Sequence, residues 1–444
     1  MSSTVPAIGG TMSAWRVRLL GLLRHQAFLP ACFGVFVSVR LAVLLLPVAP
    51  TSDAAWYVQR GLELAAGQGY HEGASPTAFW PIGFPLFLGA VFFVFGSHLI
   101  VVKLANLALS CGIFWLTYRV ARHMFRDEYV ARLAVLLLTL YPNQIGYTGL
   151  MLSEMLATLL LLWACDIFMT GQSLGRTLLA GIFFGYGALV KAQFVCLPGI
   201  MVLVHCWGFW TSRRKIRRLM TLASVFAISG AVVVLPVTAR NYMVFHQIVL
   251  ISTNGGPTFL GGNNPYADGA NNDRIYNSFH FPVRAQIAAD QQTYALALAW
   301  IKANPSRFLE LIPLKVWHLW AVDGESEWGF ESGYRGFTDH AAAFKVLRII
   351  NQIFYMGTLA GAFIAITRIF RGGNATQWAW LGVGFFAFIT LISVAFSGQS
   401  RFHFPAMPFA LSYAAWVILR PFAAGGSLGL LRRATPGGPV ETGQ

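Results

Sequence analysis

The stretch Leu41-Ala42-Val43-Leu44-Leu45-Leu46-Pro47-Val48-Ala49-Pro50-Thr51-Ser52-Asp53-Ala54-Ala55-Trp56-Tyr57 places one carboxylate just past the first long apolar run of the chain. The run begins near Phe28 and is long enough to enter a bilayer; Pro47 and Pro50 close it. Over 53–66 the pattern turns amphipathic. Asp53, Trp56, Tyr57 and Arg60 recur at i, i+3, i+4 and i+7 and share one helical face. An acid at the mouth of a membrane helix, followed by a helix along the membrane plane, suggests a catalytic group at a membrane surface. An aspartate at a helix start is also an ordinary N-cap.

Working outward, the 444 residues are 56% hydrophobic and 11% charged. A mean hydropathy of +0.59 does not fit a soluble globular protein. Apolar runs predict an all-α polytopic membrane protein with about ten spanning helices. They lie near 28–47, 98–120, 129–145, 151–170, 176–190, 194–210, 219–238, 343–368, 377–396 and 402–420. The fifth holds Gly181-Ile182-Phe183-Phe184-Gly185, a small-xxx-small pair that lets a neighbouring helix pack closely. The five cysteines all fall in apolar stretches, which predicts buried thiols rather than disulfides or a metal site. No cleavable signal pattern precedes the first run, so it is expected to be a retained helix.

The net charge of +15 is a topology signal. Basic residues sit in short gaps between apolar runs and do not interleave with aromatics as a nucleic-acid platform requires, so no nucleic-acid partner is expected. With ten crossings, Arg16, Arg18 and Arg24, then Arg119, Arg122 and Arg126, Arg176, the run 213–218, Arg368 and Arg371, and Arg432 and Arg433 all fall on one side. Both termini are then cytoplasmic: 1–27 as an N-terminal segment and 421–444 as a flexible tail. The run 213–218 reads as an anchor to anionic headgroups. Between them lie a membrane core over 28–238, with a first outer loop at 48–97, a large outer loop over 239–342 and C-terminal spans over 343–420. The outer loops hold most of the acids. Within the second, 306–322 reads as an interfacial helix with Trp317, Trp320 and Trp328 at headgroup level.

Four motifs stand in order along the chain: Asp53-x-x-Trp56-Tyr57 with Trp80-Pro81-Ile82-Gly83-Phe84-Pro85-Leu86; Tyr141-Pro142 through Ser153-Glu154; Arg240-Asn241-Tyr242 through Asn254-Gly255-Gly256 and Gly261-Gly262-Asn263-Asn264-Pro265; and Ser400-Arg401-Phe402-His403-Phe404-Pro405. Together they resemble the bacterial family 39 glycosyltransferases, relatives of the protein O-mannosyltransferases and of the lipid A aminoarabinose transferase, over roughly 30–420. The resemblance implies a C-type glycosyltransferase architecture with outer-face amphipathic helices. It further implies transfer of a hexosyl or pentosyl group from a polyprenyl phosphate, with inversion, to a lipid, glycan or protein acceptor on the outer face of a bacterial inner membrane. The first-loop aspartate is the catalytic group it implies. Many relatives carry an acidic pair there; here Ala54 follows Asp53, which argues against a metal pair.

Such a reaction needs a base for the acceptor hydroxyl, cations for the departing lipid phosphate, and a dry site. Asp53 is the expected base. Glu154, near a helix start where an acid also suits the helix dipole, is the expected second carboxylate or arginine partner. Arg40 lies within the first span, where an isolated arginine costs about 2.5–3.5 kcal/mol, and is expected to meet a partner or the donor phosphate unless it snorkels to the headgroups. Lys191 binds the phosphate or marks the interface. Arg240 and Arg401 are cations on the outer side against the usual bias, and so candidate phosphate ligands. Trp56, Tyr57, Trp80, Asn254 and Asn263 are the expected substrate contacts, the asparagines lying in stretches that also read as turns. Histidine spacing supports no metal site; no cofactor is certain, and a divalent metal stays open without support from ligand spacing. The cluster 323–327 reads as a solvated loop, with acceptor or cation binding as the lesser alternative. A flippase or transporter of lipid-linked glycan would carry internal repeats and a midplane site; a polysaccharide polymerase is the other alternative. Clustering of the candidates at outer helix ends favours surface chemistry.

Overall fold

A computed structural model describes residues 14–206, 213–272, 274–278, 282–373 and 375–420. In chain order its helices are α1 (Ala14–Arg24), α2 (Phe28–Leu44), α3 (Ser52–Ala65), α4 (Gly83–Phe95), α5 (Leu99–Phe125), α6 (Glu128–Leu140), α7 (Pro142–Tyr147), α8 (Glu154–Thr170), α9 (Leu174–Val190), α10 (Leu197–Cys206), α11 (Arg213–Phe245), α12 (Gly255–Gly262), α13 (Arg274–Ser278), α14 (Gln286–Ala303), α15 (Pro305–Trp320), α16 (Glu325–Gly333), α17 (Ala341–Phe370), α18 (Ala379–Ala395) and α19 (Met407–Leu419). A two-stranded hairpin, β1 (His71–Glu72) and β2 (Ser75–Pro76), interrupts them.

The helical membrane architecture agrees with the sequence. Among the described residues, four helices are long and apolar enough to cross a bilayer singly, or five if α1 and α2, bent by 89°, count as one span. Several expected spans are shorter or broken. The 129–145 run splits into α6 and α7 because Pro142 lacks the N–H that Leu138 O would otherwise receive. The first outer loop contains an apolar helix, α4, packed between α3 and α9. The expected spans 194–210 and 219–238 become α10, shorter, and α11, much longer, with the basic run drawn into the start of α11. The tail 421–444 and residues 1–13 lie outside the described residues.

Close packing at the glycine pair is present. A Cβ on Gly185 would lie 2.9 Å from the backbone oxygen of Gly230, so α9 and α11 meet backbone to backbone. All five cysteines are unpaired; Cys196 is exposed, against the expectation of burial.

The two segments 48–97 and 239–342, expected on the outer side, join each other. Gln286 accepts hydrogen bonds from Ala78 N at 2.8 Å and Thr253 Oγ1 at 3.2 Å, and donates to Pro76 O at 3.1 Å. The start of α3 is held from the far side: Ala49 N donates to Gly333 O at 2.9 Å, and Thr51 Oγ1 meets Ser332 Oγ at 2.8 Å. Of the three tryptophans placed at headgroup level, Trp317 and Trp328 are exposed. Trp320 instead turns inward, donating to Thr390 Oγ1 at 3.1 Å and stacking on His403.

Candidate active site

Asp53 lies in the first turn of α3, where Thr51 is the N-cap, so the capping role falls away. Its partner is Arg401, from the 3-10 turn Ser400–Phe402 ahead of α19: Nη1 donates to Asp53 Oδ2 at 2.7 Å. Arg401 Nε donates to Gln399 Oε1 at 2.8 Å, which fixes the plane of the guanidinium. The Asp53 side chain stays 22% exposed and that of Arg401 26%, so the pair is reachable. A small cleft lies nearby, lined by Pro50, Thr51, Ala54, Met151, Leu152 and Trp328 but not by Asp53 itself.

A second pair stands behind the first. Lys191 Nζ, at the C-cap of α9, donates to Glu154 Oε1 at 3.0 Å. Glu154 opens α8 and its side chain is 2% exposed. Its other oxygen, Oε2, and the hydroxyl of Tyr147 are buried without a hydrogen-bond partner among the described residues. Tyr57 links the two pairs. Burial, followed by the charges of Asp53 and Glu154, pushes its phenol above the ordinary value, and Arg401 and Ser153 are its other electrostatic neighbours. The aromatic wall foreseen around Trp80 is present: Tyr57 packs on Phe84 at 5.2 Å and on Trp80 at 6.4 Å, and Trp56 on Trp80 at 6.5 Å. Gly83 allows this, because a Cβ there would strike the Leu189–Val190 backbone two residues before Lys191.

The other candidates lie elsewhere. Arg40 is fully buried, with hydrogen bonds to Phe36 O at 3.2 Å, Leu138 O at 3.3 Å and Gln144 Oε1, and its guanidinium lies over the Phe36 ring. The expected partner is therefore a set of helix-bundle acceptors. Arg240 donates to Tyr70 O and Thr77 O, each at 2.7 Å, and so braces the first outer loop. Asn254 Oδ1 accepts from Ser252 Oγ at 2.9 Å within its own turn. Asn263 is fully buried and faces Lys315 rather than the cleft; Lys315 Nζ donates to its Oδ1 at 2.8 Å. Arg60 leaves the Asp53 group and pairs with Glu63 at 2.7 Å.

The expected solvated loop at 323–327 is not what forms: Glu325 to Glu327 open α16, and Ser326 is buried as well as Asp323. Asp323 is 2% exposed and His403 is fully buried. Asp323 accepts from Tyr141 OH at 2.6 Å and from Asn143 Nδ2, and lies 3.2 Å from His403 Nε2. His403 Nδ1 donates to Leu319 O at 2.6 Å. Glu325 was missed for the same reason; it accepts from Ser400 Oγ at 2.9 Å, beside Arg401. Tyr147 lies within a motif the sequence singled out, but only its burial beside Glu154 distinguishes it. Among the described residues no three His, Cys, Asp or Glu side chains gather as metal ligands, and Asp53 and Glu154 are each engaged by a cation.

No family model matches the chain, and no curated sequence is significantly similar to it. Solved structures do match. The oligosaccharyltransferase AglB from Archaeoglobus fulgidus, in complex with an inhibitory peptide and a dolichol-phosphate, superposes over 91% of this chain with a TM-score of 0.51 and 14% identity. The same enzyme with zinc and sulfate gives 0.51 over 87%. ArnT from Cupriavidus metallidurans, bound to undecaprenyl phosphate, covers 88% of the chain with a TM-score of 0.43 and 14% identity. The chain spans about half the length of the oligosaccharyltransferase, 50% of it in the first superposition. The apolar helices and this likeness make the chain an integral membrane protein with the C-type glycosyltransferase fold.

Proposed function

We propose that the chain is a membrane glycosyltransferase that moves a sugar from a polyprenyl phosphate to an acceptor hydroxyl, with Asp53 as general base. The observation that carries this reading is the reachable Asp53–Arg401 pair backed by Glu154–Lys191, at the meeting point of the two outer segments. The archaeal enzyme of the same fold is seen with a dolichol-phosphate, which is a polyprenyl phosphate.

In the reaction, an Asp53 oxygen takes the acceptor proton as the acceptor oxygen attacks the anomeric carbon. The bond from that carbon to the phosphate oxygen breaks, and its electron pair leaves with the polyprenyl phosphate. In-line displacement sets base and leaving group on opposite sides of the anomeric carbon and inverts it. With Asp53 Oδ2 and Arg401 Nη1 2.7 Å apart, no sugar fits between them. Arg401 is therefore assigned to orient the base, and Lys191 to neutralise the departing phosphate. Glu154 Oε2 and Tyr147 OH are free to receive sugar hydroxyls, and Trp56, Tyr57 and Trp80 supply an apolar wall that keeps water out. The acceptor is borne by a lipid, a glycan or a protein, and the site lies on the outer face of a bacterial inner membrane.

The test is transfer by the purified protein in proteoliposomes, with a polyprenyl phosphate carrying a radiolabelled sugar and a membrane extract as acceptor. Label should leave the polyprenyl phosphate and appear in acceptor. If the labelled donor binds and crosses the bilayer intact, the protein is a carrier and the proposal fails.

A further inference from the structure

We propose that the cavity at the far end of α5 from Asp53 binds the phosphate headgroup of an anionic membrane lipid. This open cavity of about 530 Å³ is lined by Arg119, Arg122, His123, Arg126 and Glu128. Nothing in the transfer reaction uses these groups.

Their position is fixed by the length of α5. Near its start, Lys103 Nζ donates to Leu46 O at 2.7 Å, beside the segment that leads to Asp53. Arg119 to Arg126 follow 16 to 23 residues later, roughly 24–35 Å along a helix rising about 1.5 Å per residue. That distance matches a hydrocarbon core of about 30 Å, so the cavity opens in the opposite headgroup layer. Trp115, one turn before Arg119 on the same face, is 42% exposed, as expected of an aromatic side chain against lipid just below the headgroups.

The charges are held in place without being consumed. Asp166, from α8, grips Arg119 through Nε at 2.8 Å and lies 3.5 Å from His123 Nε2. The terminal nitrogens of Arg119 make no hydrogen bond among the described residues and remain available for a bidentate phosphate contact. Glu128 is shared between Arg122 Nε at 3.4 Å and Arg132 Nε at 2.8 Å, and also accepts from Tyr118 OH at 2.6 Å. Arg126 is exposed and has no side-chain partner among the described residues. It caps α5 in a left-handed conformation, φ 50°, which a side-chain-bearing residue rarely adopts. The cavity wall is thus net positive and at headgroup depth, with Trp115 one turn away towards the hydrocarbon. Pockets of this kind between membrane helices take up lipid phosphates.

The experiment is native mass spectrometry of the full chain in detergent. It is offered phosphatidylglycerol or phosphatidylcholine with matched acyl chains, with and without inorganic phosphate. The wild type should retain phosphatidylglycerol at least tenfold over phosphatidylcholine, and Arg126→Glu should lower that retention at least fivefold. The Arg126 side chain makes no hydrogen bond or ion pair among the described residues, so the variant should keep the wild-type size-exclusion profile; if it does not, Arg126→Gln is read instead, with at least a twofold loss expected. Equal retention of the two lipids, or undiminished retention by the variant, overturns the proposal. Displacement of the lipid by low-millimolar inorganic phosphate overturns the lipid assignment in favour of a free-phosphate site.

Discussion

Two acid–base pairs bind the last helix to distant parts of the chain, and they differ in what they leave unused. Asp53–Arg401 joins the first outer segment to the turn before α19; both side chains keep about a quarter of their surface. Asp323–His403 joins the second outer segment to the same turn, two residues further on, with side chains 1% and 0% exposed. Around Asp323, the hydrogen-bonding capacity is taken up by Tyr141, Asn143, Asn351 and His403, and His403 is closed off by Leu319 O. Around Asp53, one oxygen is engaged, and neighbouring groups on Glu154 and Tyr147 are unengaged. A saturated, buried pair fixes geometry; a half-open pair beside idle polar atoms has something left to offer a substrate. The contrast assigns scaffolding to one and chemistry to the other.

Breaking the scaffold should have the largest effect. Asp323→Ala leaves a buried network without its acceptor and should cost about 3–5 kcal/mol, read as loss of folded protein in a thermal unfolding series. Arg401→Lys keeps the charge and loses the planar fork held by Gln399. It should lower kcat about 10–100-fold, less than the roughly 10²–10⁴-fold that the general base itself is worth, because the base remains and only its orientation is lost, and leave donor affinity unchanged. The double change Glu154→Gln with Lys191→Met, which avoids a lone buried carboxylate, should weaken donor binding about tenfold, whereas Arg40→Met should change it less than about twofold because the Arg40 guanidinium is fully buried within the helix bundle, away from the Lys191 pair. A titration of donor binding separates the two.

The smallest effect concerns Lys315 in α15, a buried amine with no carboxylate partner among the described residues. Burial pushes it from 10.5 down to about 8. Between those values the unfolded chain holds a proton that the folded chain does not. Stability should therefore rise as pH increases from about 8 towards 10.5, with the penalty fully present below 8. Comparison of melting temperatures over that window should show a slope in the wild type that Lys315→Met lacks.

The membrane helices were legible because apolar runs and charge gaps are local signals. The breaks were less so: Pro142 sits inside a run whose hydropathy hides it. Asp53 and Arg401 were each singled out, one as a rare acid and the other as a misplaced cation, but a pairing across 348 positions leaves no local mark. Arg40 shows the converse. Its depth pointed to a partner, yet the acceptor at Leu138 O is freed only by the proline four residues on. Asp323 read as solvated because its neighbours, Gly324, Glu325, Ser326 and Glu327, are polar; its four hydrogen-bonding side-chain partners come from α7, α17 and the turn before α19.

The most direct test of the central claim is single-turnover sugar transfer by Asp53→Asn, measured beside equilibrium binding of the polyprenyl-phosphate donor. The variant keeps size and hydrogen-bonding capacity and loses only the basic oxygen. Transfer should fall about 10²–10⁴-fold, with donor affinity within twofold of the wild type. Transfer at the wild-type rate by the fully folded variant would contradict the assignment of Asp53 as the base.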